Sequence, residues 1–221
     1  MSRTAVVIGA TGLVGGYLVR QLLDDPAYST VITYARKNLG IHHPKLVQKP
    51  FPIPDSPIRD VTGDDFYCSI GTTIKKAKSR EAFRIIDFEV PLAFAKSAKE
   101  AGVSHFLLVS SVGADSKSPF FYPRIKGELE DAIGQLDFPS FTVVRPGLLR
   151  GPREEFRLGE KIGGVIQAVI EPILLGKLRD FRSVPAQDVA RCLVEAAHHP
   201  QKGRRIISSG EIRRYERTLV G

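Results

Sequence analysis

The chain has 221 residues, of which 43% are hydrophobic and 25% charged, a profile that argues against a disordered or fibrous protein and suits one well-buried core. A formal charge of +8 and a pI near 9.6 point to an anionic partner, either nucleic acid, an anionic surface or a small phosphorylated ligand. The basic pairs Lys75-Lys76, Arg204-Arg205 and Arg213-Arg214 are short and scattered, so a solvated surface with a phosphate site is favoured and nucleic-acid binding is not expected.

In chain order, short apolar runs alternate with amphipathic helical stretches, the pattern of a parallel sheet with crossover helices. Ala5-Val6-Val7-Ile8 predicts a buried first strand, entered without an apolar leader region, and Leu13 to Leu23 the helix after it. Val31 to Tyr34 predicts a second strand. The stretch Ile41–Pro57 carries five prolines and is expected to be mostly loop, with a short strand near Leu46-Val47. Phe66 to Ile70 predicts the fourth strand, Arg80 to Ala101 a long helix bent or restarted near Pro91, and His105 to Ser110 a further strand. A helix containing Tyr122 to Leu136, a strand Phe141–Val144, a helix from Ala186 to His198 and a last strand Arg205–Ser208 complete the series.

Residues 150–184 break the alternation and predict a small substrate-covering insertion in a single domain spanning 1–221. Its apolar run, Ile162 to Leu175, is interrupted by Gly163, Gly164, Gln167, Glu171 and Pro172. That run falls short of the ~20 residues of a membrane span, so a soluble protein is expected. Two cysteines, Cys68 and Cys192, make no disulfide framework, and a reducing, cytoplasmic location is expected.

The first strand runs into Gly9-Ala10-Thr11-Gly12-Leu13-Val14-Gly15, which opens a helix. Gly9 permits a tight turn, Gly12 lets backbone amides approach a pyrophosphate, and Gly15 allows close helix–strand packing. The helix N-terminus then offers unpaired amides and a positive dipole end to the anion. The spacing is G-x-x-G-x-x-G, and a glycine triad alone often marks an ordinary turn; its place at a strand–helix junction is what favours phosphate binding. An NAD site would place an acid about 20 residues on, at the end of the second strand. Here Tyr34-Ala35-Arg36-Lys37 supplies none, and Arg36 and Lys37 suit a 2′-phosphate, so NADP(H) is expected as cofactor. Two surface bases at a strand end are the plainer alternative.

Tyr122-Pro123-Arg124-Ile125-Lys126 sets Tyr and Lys on one helical face, and the strand before it ends in Ser110-Ser111 at the sheet edge where such folds bind ligands. A phenol, with a free pKa near ~10, needs a neighbouring cation to exchange protons at neutral pH. A serine hydroxyl can hold the substrate oxygen beside it. Y-x-x-x-K by itself occurs by chance on many helices; the conjunction with the glycine turn and paired serines carries the reading.

With these residues the chain resembles the short-chain dehydrogenase/reductase superfamily over nearly its whole length, and most of all its small atypical Tat-interacting-protein-2-like NAD(P)H-binding oxidoreductases. The resemblance rests on GATGLVGGYLVRQLL (Gly9 to Leu23), TYARK (Thr33 to Lys37), LLVSSVGADSKSPFFYPRIKGELE (Leu107 to Glu130) and VVRPGLLRGPR (Val143 to Arg153). It implies an α/β Rossmann fold, a doubly wound and mostly parallel sheet with helices on both faces. NADPH would lie on the glycine turn and Arg36, with Tyr122 as acid/base and Lys126 on the nicotinamide ribose. Ser111 matches the superfamily serine best; Ser110 stays open because the gap to Tyr122 is short. Ile70-Gly71-Thr72 and Arg145-Pro146-Gly147-Leu148 resemble the segments flanking the adenine ribose and the nicotinamide. Asp87 falls where many relatives place a relay asparagine, and that departure leaves it outside the expected site.

No Cys/His spacing fits a metal, and none is expected. Glu154, Glu155, Asp64 and Asp65 are taken as loop charges and caps; Arg153 and Arg157 suit either an anionic substrate or a solvated helix start. The leading expectation is an NADPH-dependent reductase, or the reverse dehydrogenase, acting on a small carbonyl with Ser111, Tyr122 and Lys126 as catalytic residues. The competing one is a non-catalytic NADPH sensor that works through a protein partner. The long helices Arg80–Ala101 and Tyr122–Leu136 could pair subunits as a homodimer.

Overall fold

The computed structural model describes residues 2–52, 58, 61–151 and 182–217. Its strands are β1 (Arg3–Ile8), β2 (Tyr28–Ala35), β3 (Leu46–Pro50), β4 (Asp65–Cys68), β5 (His105–Val109), β6 (Ser140–Arg145), the two-residue β7 (Leu149–Arg150) and β8 (Val184–Pro185), and β9 (Gly203–Ser208). The helices are α1 (Leu13–Asp24), α2 (Ile74–Ala77), α3 (Arg80–Arg84), α4 (Val90–Glu100), α5 (Phe121–Gly134), α6 (Ala186–His198) and α7 (Ser209–Arg217), with a π-helical turn, Ile85–Glu89, joining α3 to α4.

Seven strands form one sheet in the order β3-β2-β1-β4-β5-β6-β9, and every neighbouring pair in it is parallel. The chain winds outward from β1 to β3 and then returns to lay β4 on the other side of β1. The carboxyl ends of β1 and β4 therefore diverge into loops that leave in opposite directions, which opens a crevice at that edge. This is the expected doubly wound Rossmann arrangement. The small β7–β8 pair was not expected; it brings residue 149 beside residue 184.

Both faces of the sheet are covered, so its strands are apolar on both sides rather than alternating. On one face Ala5 and Val7 of β1 meet Leu18 and Leu22 of α1 and Val189 and Leu193 of α6. On the other, Val6 and Ile8 meet Phe94 of α4, Phe106 of β5, and Leu129 and Ile133 of α5. Phe66 and Phe106, on adjacent strands, stack with ring centroids 5.0 Å apart.

The long helix expected from Arg80 is interrupted, and Pro91 explains the interruption. Lacking an N–H, it leaves the Asp87 carbonyl without the donor an α-helix would supply. The turn before it widens instead, with the Val90 amide reaching Ile85 O, and this rotates Asp87 into the interior while Ile85 stays 48% exposed. Side chains cap both short helices before this turn: Thr73 accepts from the Lys76 amide at the start of α2, which was not expected, and Ser79 from the Ala82 amide at the start of α3, where the expected helix begins. Asp188 lies in the first turn of α6, where a negative charge suits the helix N-terminus, and pairs with Arg191 at 3.1 Å.

Candidate nucleotide-binding cleft

The glycine turn lies on the crevice between β1 and β4. Gly9 has φ +84°, and a Cβ there would sit 2.5 Å from the Ser69 carbonyl carbon, so the turn after β1 presses on the backbone after β4. A Cβ at Gly15 would lie 2.1 Å from Gly9 O. The turn closes through Gly12 N–H to Gly9 O at 2.8 Å. No side chain caps α1 at Gly12, so its first amides have no side-chain acceptor at the cap. Glycine at positions 9 and 15 is thus required by backbone packed against backbone, the close approach that sets the N-terminus of α1 at the end of β1.

Arg36 and Lys37 are exposed directly beyond the end of β2. Gly71 is exposed and Ile70 and Thr72 half-buried beyond the end of β4, on the other side of the crevice. Pro146 is buried and Leu148 57% exposed after β6; the Val112 amide donates to Pro146 O at 2.9 Å, joining the loops after β5 and β6.

Loop 110–120 is fixed against α5. The Asp115 amide donates to Pro123 O at 3.0 Å, and a Cβ at Gly127 would lie 2.1 Å from the Ser116 nitrogen, so only glycine allows the loop this close to the helix. Tyr122 is half-buried on the first turn of α5, its ring 5.6 Å from that of Phe83. Lys126, one turn on, is 4% exposed.

The two serines have different surroundings. Ser110 donates its hydroxyl to Glu130 Oε1 at 2.5 Å, inside a network in which Arg145 meets Glu130 at 2.6 Å and Arg204 meets it at 2.7 Å. Ser111 Oγ is buried with no hydrogen-bond partner among the described residues. A buried hydroxyl left unpaired is costly, and such groups gather where a ligand or water completes them.

Asp87, expected to stand outside the site, is on the floor of this cleft. Its Oδ1 lies 2.7 Å from Lys126 Nζ and its Oδ2 accepts the Thr72 amide at 3.0 Å. A Cβ at Gly71 would lie 3.6 Å from that Nζ and 3.7 Å from that Oδ1. Burial works to depress the Lys126 pKa, but the Asp87 carboxylate and then Tyr122 outweigh it and raise the pKa, so Lys126 is an ammonium. Burial pushes Asp87 itself up, against the pull of Lys126. Sequence analysis singled out Asp87 by its position but left it outside the site because an acid stands where an asparagine was expected; the π-helical turn is what carries its side chain inward. Glu130 was missed, an acid at full burial that no local pattern marks.

Residues 9–200 match the NAD(P)H-binding family. The chain belongs to the NAD(P)H-binding family. Among the curated relatives it resembles is "Protein FMP52, mitochondrial" of Candida albicans, 35% identical over 205 residues that cover 89% of this chain and 87% of the relative. The protein of the same name from Coccidioides immitis is 34% identical over 215 residues, covering 90% and 87%. Solved structures with the same fold include MoeE5 in complex with UDP-glucose and NAD, TM-score 0.68 at 15% identity, covering 95% of this chain and 79% of that one. Another is the Bordetella bronchiseptica enzyme WbmH in complex with NAD+, TM-score 0.67 at 17% identity, covering 97% and 79%. At these identities the structures share the Rossmann fold alone.

The relatives correct one expectation. They are named mitochondrial, against the cytoplasmic location inferred from composition and cysteine usage. Two unpaired thiols report a redox environment, not which compartment provides it. Among the described residues no helix is long and apolar enough to cross a membrane, and no group of three or more His, Cys, Asp or Glu could hold a metal ion. Arg153, Glu154, Glu155 and Arg157, with the rest of 152–181, lie outside the described residues.

Proposed function

We propose that this member of the NAD(P)H-binding family is an NADPH-dependent oxidoreductase of the short-chain dehydrogenase/reductase type, of the Tat-interacting-protein-2-like kind. It would interconvert a small carbonyl and its alcohol, in mitochondria like the relatives it resembles. The observation that carries this reading is the unpartnered, buried Ser111 hydroxyl beyond β5, on the same edge of the sheet as Tyr122, Lys126 and the glycine turn.

NADPH, when bound, supplies the hydride. The amides of the Gly9–Gly15 turn hold the pyrophosphate, Arg36 and Lys37 the 2′-phosphate, and Lys126 the ribose. Ser111 donates to the substrate oxygen and fixes it beside Tyr122, whose phenolic proton passes to that oxygen during reduction. The reverse transfer serves oxidation. Ile70-Gly71-Thr72 would flank the adenine ribose, and Pro146 and Leu148 the nicotinamide.

The test is NADPH oxidation by the purified protein with a panel of aldehydes, ketones, quinones and UDP-glucose, with Tyr122→Phe as control. The reading predicts turnover of a small carbonyl that the variant reduces roughly 10²-fold or more while keeping nucleotide affinity. Equal turnover by the two proteins contradicts it. NADPH binding with no turnover anywhere in the panel, and with cellular function intact in Tyr122→Phe, favours the sensor.

A further inference from the structure

A second polar cluster lies at the amino ends of the strands, the opposite edge of the sheet from the nucleotide cleft. Asp65 opens β4, His105 opens β5 and Ser140 opens β6, and they are register partners, Asp65 beside His105 and His105 beside Ser140. In-register neighbours on parallel strands turn their side chains to the same side, so the three form one row. Asp65, expected as a loop charge, is fully buried; His105 is 2% and Ser140 5% exposed. The row continues to Gly203, whose amide donates to Pro139 O at 2.9 Å and so sets the exposed Lys202 beside the end of the row.

Each member of the row has one polar side-chain atom without a hydrogen-bond partner among the described residues: Asp65 Oδ1, His105 Nδ1 and Ser140 Oγ. The other side-chain polar atoms of Asp65 and His105 are engaged. Asp65 Oδ2 accepts the Tyr28 hydroxyl at 2.7 Å and pairs with Arg3, and His105 Nε2 meets Thr142 Oγ1 at 2.9 Å. Oδ1 and Nδ1 are 3.6 Å apart, too far to satisfy each other. Buried polar atoms left open in this way are costly, and they gather where a ligand or water completes them. All three residues line one cavity of about 360 Å³, with Lys202, Pro139 and Pro200 among its exposed walls. That volume is at the small end of ligand sites.

We propose that this cavity is a second binding site, for a small primary amine that carries a carboxylate, such as a free amino acid. With His105 as the tautomer whose Nε2–H donates to Thr142, all three open atoms are acceptors, and a primary ammonium has three N–H donors to give them. Arg3 and Tyr28 hold Oδ2, which leaves Oδ1 for a charge-assisted bond to the ligand. A hydroxyl donates only once, and a carboxylate placed on the row has no donor for Oδ1. A row so nearly closed to solvent admits a head as compact as an ammonium. The ligand's carboxylate then falls to Lys202 and its aliphatic body to Pro139 and Pro200. The site stands apart from the oxidoreductase reading and does not depend on it.

Alanine, ethylamine and propionate separate the two ends of such a ligand, because each of the last two lacks one charged group of the first. Each is titrated into the full chain at pH 7 and followed by NMR at the amides of Ser104, His105, Ser140 and Lys202. Alanine should shift these amides saturably with a Kd on the order of 1 mM, ethylamine more weakly, and propionate not at all. Ser140→Ala removes a hydroxyl that has no partner to lose, so the fold is kept, and alanine should bind roughly tenfold more weakly. Lys202→Ala, at an exposed position, should bring alanine down to the affinity of ethylamine. NADPH affinity should be the same in both variants as in wild type. Absence of saturable shifts with both alanine and ethylamine overturns the proposal. So does propionate binding as tightly as alanine, or alanine binding unchanged in both variants.

Discussion

The Ser110 hydroxyl donates to Glu130 Oε1 at 2.5 Å, which binds Ser110 into the Arg145–Glu130–Arg204 network, whereas its neighbour Ser111 has no hydrogen-bond partner for its hydroxyl among the described residues. Successive residues at a strand end point to opposite sides, so adjacent serines cannot share one role. Ser110→Ala removes a donor from a fully buried carboxylate and should cost about 1–3 kcal/mol of stability, read by chemical denaturation. Ser111→Ala should leave stability unchanged or slightly higher, and should lower turnover roughly 10²-fold once a substrate is in hand. The reverse assignment of the two effects would move the site serine to Ser110.

Gly15→Ala places a Cβ 2.1 Å from Gly9 O and 2.8 Å from Ser69 Oγ, and the first of these is backbone that cannot swing aside. The variant should lose about 1–3 kcal/mol of stability by overpacking and bind NADPH poorly, because the turn that presents the amides must open. Gly16→Ala is the matched control: its Cβ would lie 3.8 Å from the nearest atom, Ala10 O, an ordinary contact. Equal stability and equal nucleotide affinity in the two variants would contradict the close approach of β1 and β4 loops.

Burial pushes the thiols of Cys68 and Cys192 each up to about 12. The thiolate is the reactive form, and both sulfurs are enclosed. Neither should be alkylated by iodoacetamide in the native protein at neutral pH, and both should react once the chain is unfolded. Mass spectrometry showing rapid native modification of either would contradict the packing of β4 or α6.

The Asp131 carboxyl is held below its ordinary range by a hydrogen bond with Ser116, which with the help of Arg204 outweighs the opposing effect of burial. An acid with a depressed folded-state pKa contributes stability above its unfolded pKa, near ~3.9, and loses it as pH falls through the lower folded value. Asp131→Asn should therefore flatten the acid side of the Tm-against-pH curve below about pH 4. With Asp131 about half exposed, solvent screening keeps the effect small at neutral pH. An acid limb identical to that of wild type would remove Asp131 from the account.

The sheet was legible because its strands are buried on both faces and read as unbroken apolar runs, as in Ala5–Ile8 and His105–Val109. The glycine turn was legible because Gly9 and Gly15 are required by close backbone approach rather than by propensity. Helix α7 was missed, since its Glu-Ile-Arg-Arg-Tyr-Glu-Arg run reads as a solvated tail. Its signal was a capping box: Glu211 accepts from the Ser208 amide at 2.8 Å while Ser208 Oγ accepts from the Glu211 amide at 3.3 Å. Glu130 was illegible for a different reason: a buried carboxylate is stabilised by partners distant in sequence, here Arg204. Asp87 was marked by its position and set aside for being an acid, and its burial follows from a π-helical turn that a period of 3.6 residues does not show.

The central claim is that the Gly9–Gly15 turn and Arg36 together hold NADPH, and calorimetric titration with NADPH and with NADH tests it most directly. The wild-type protein should bind NADPH well and NADH much more weakly. Arg36→Ala should lose roughly 10- to 100-fold in NADPH affinity, the worth of charge-assisted hydrogen bonds to a phosphate, with NADH affinity unchanged. Equal affinity for the two nucleotides, insensitive to Arg36→Ala, would contradict the assignment of the 2′-phosphate site, and binding of neither would contradict the reading of the cleft.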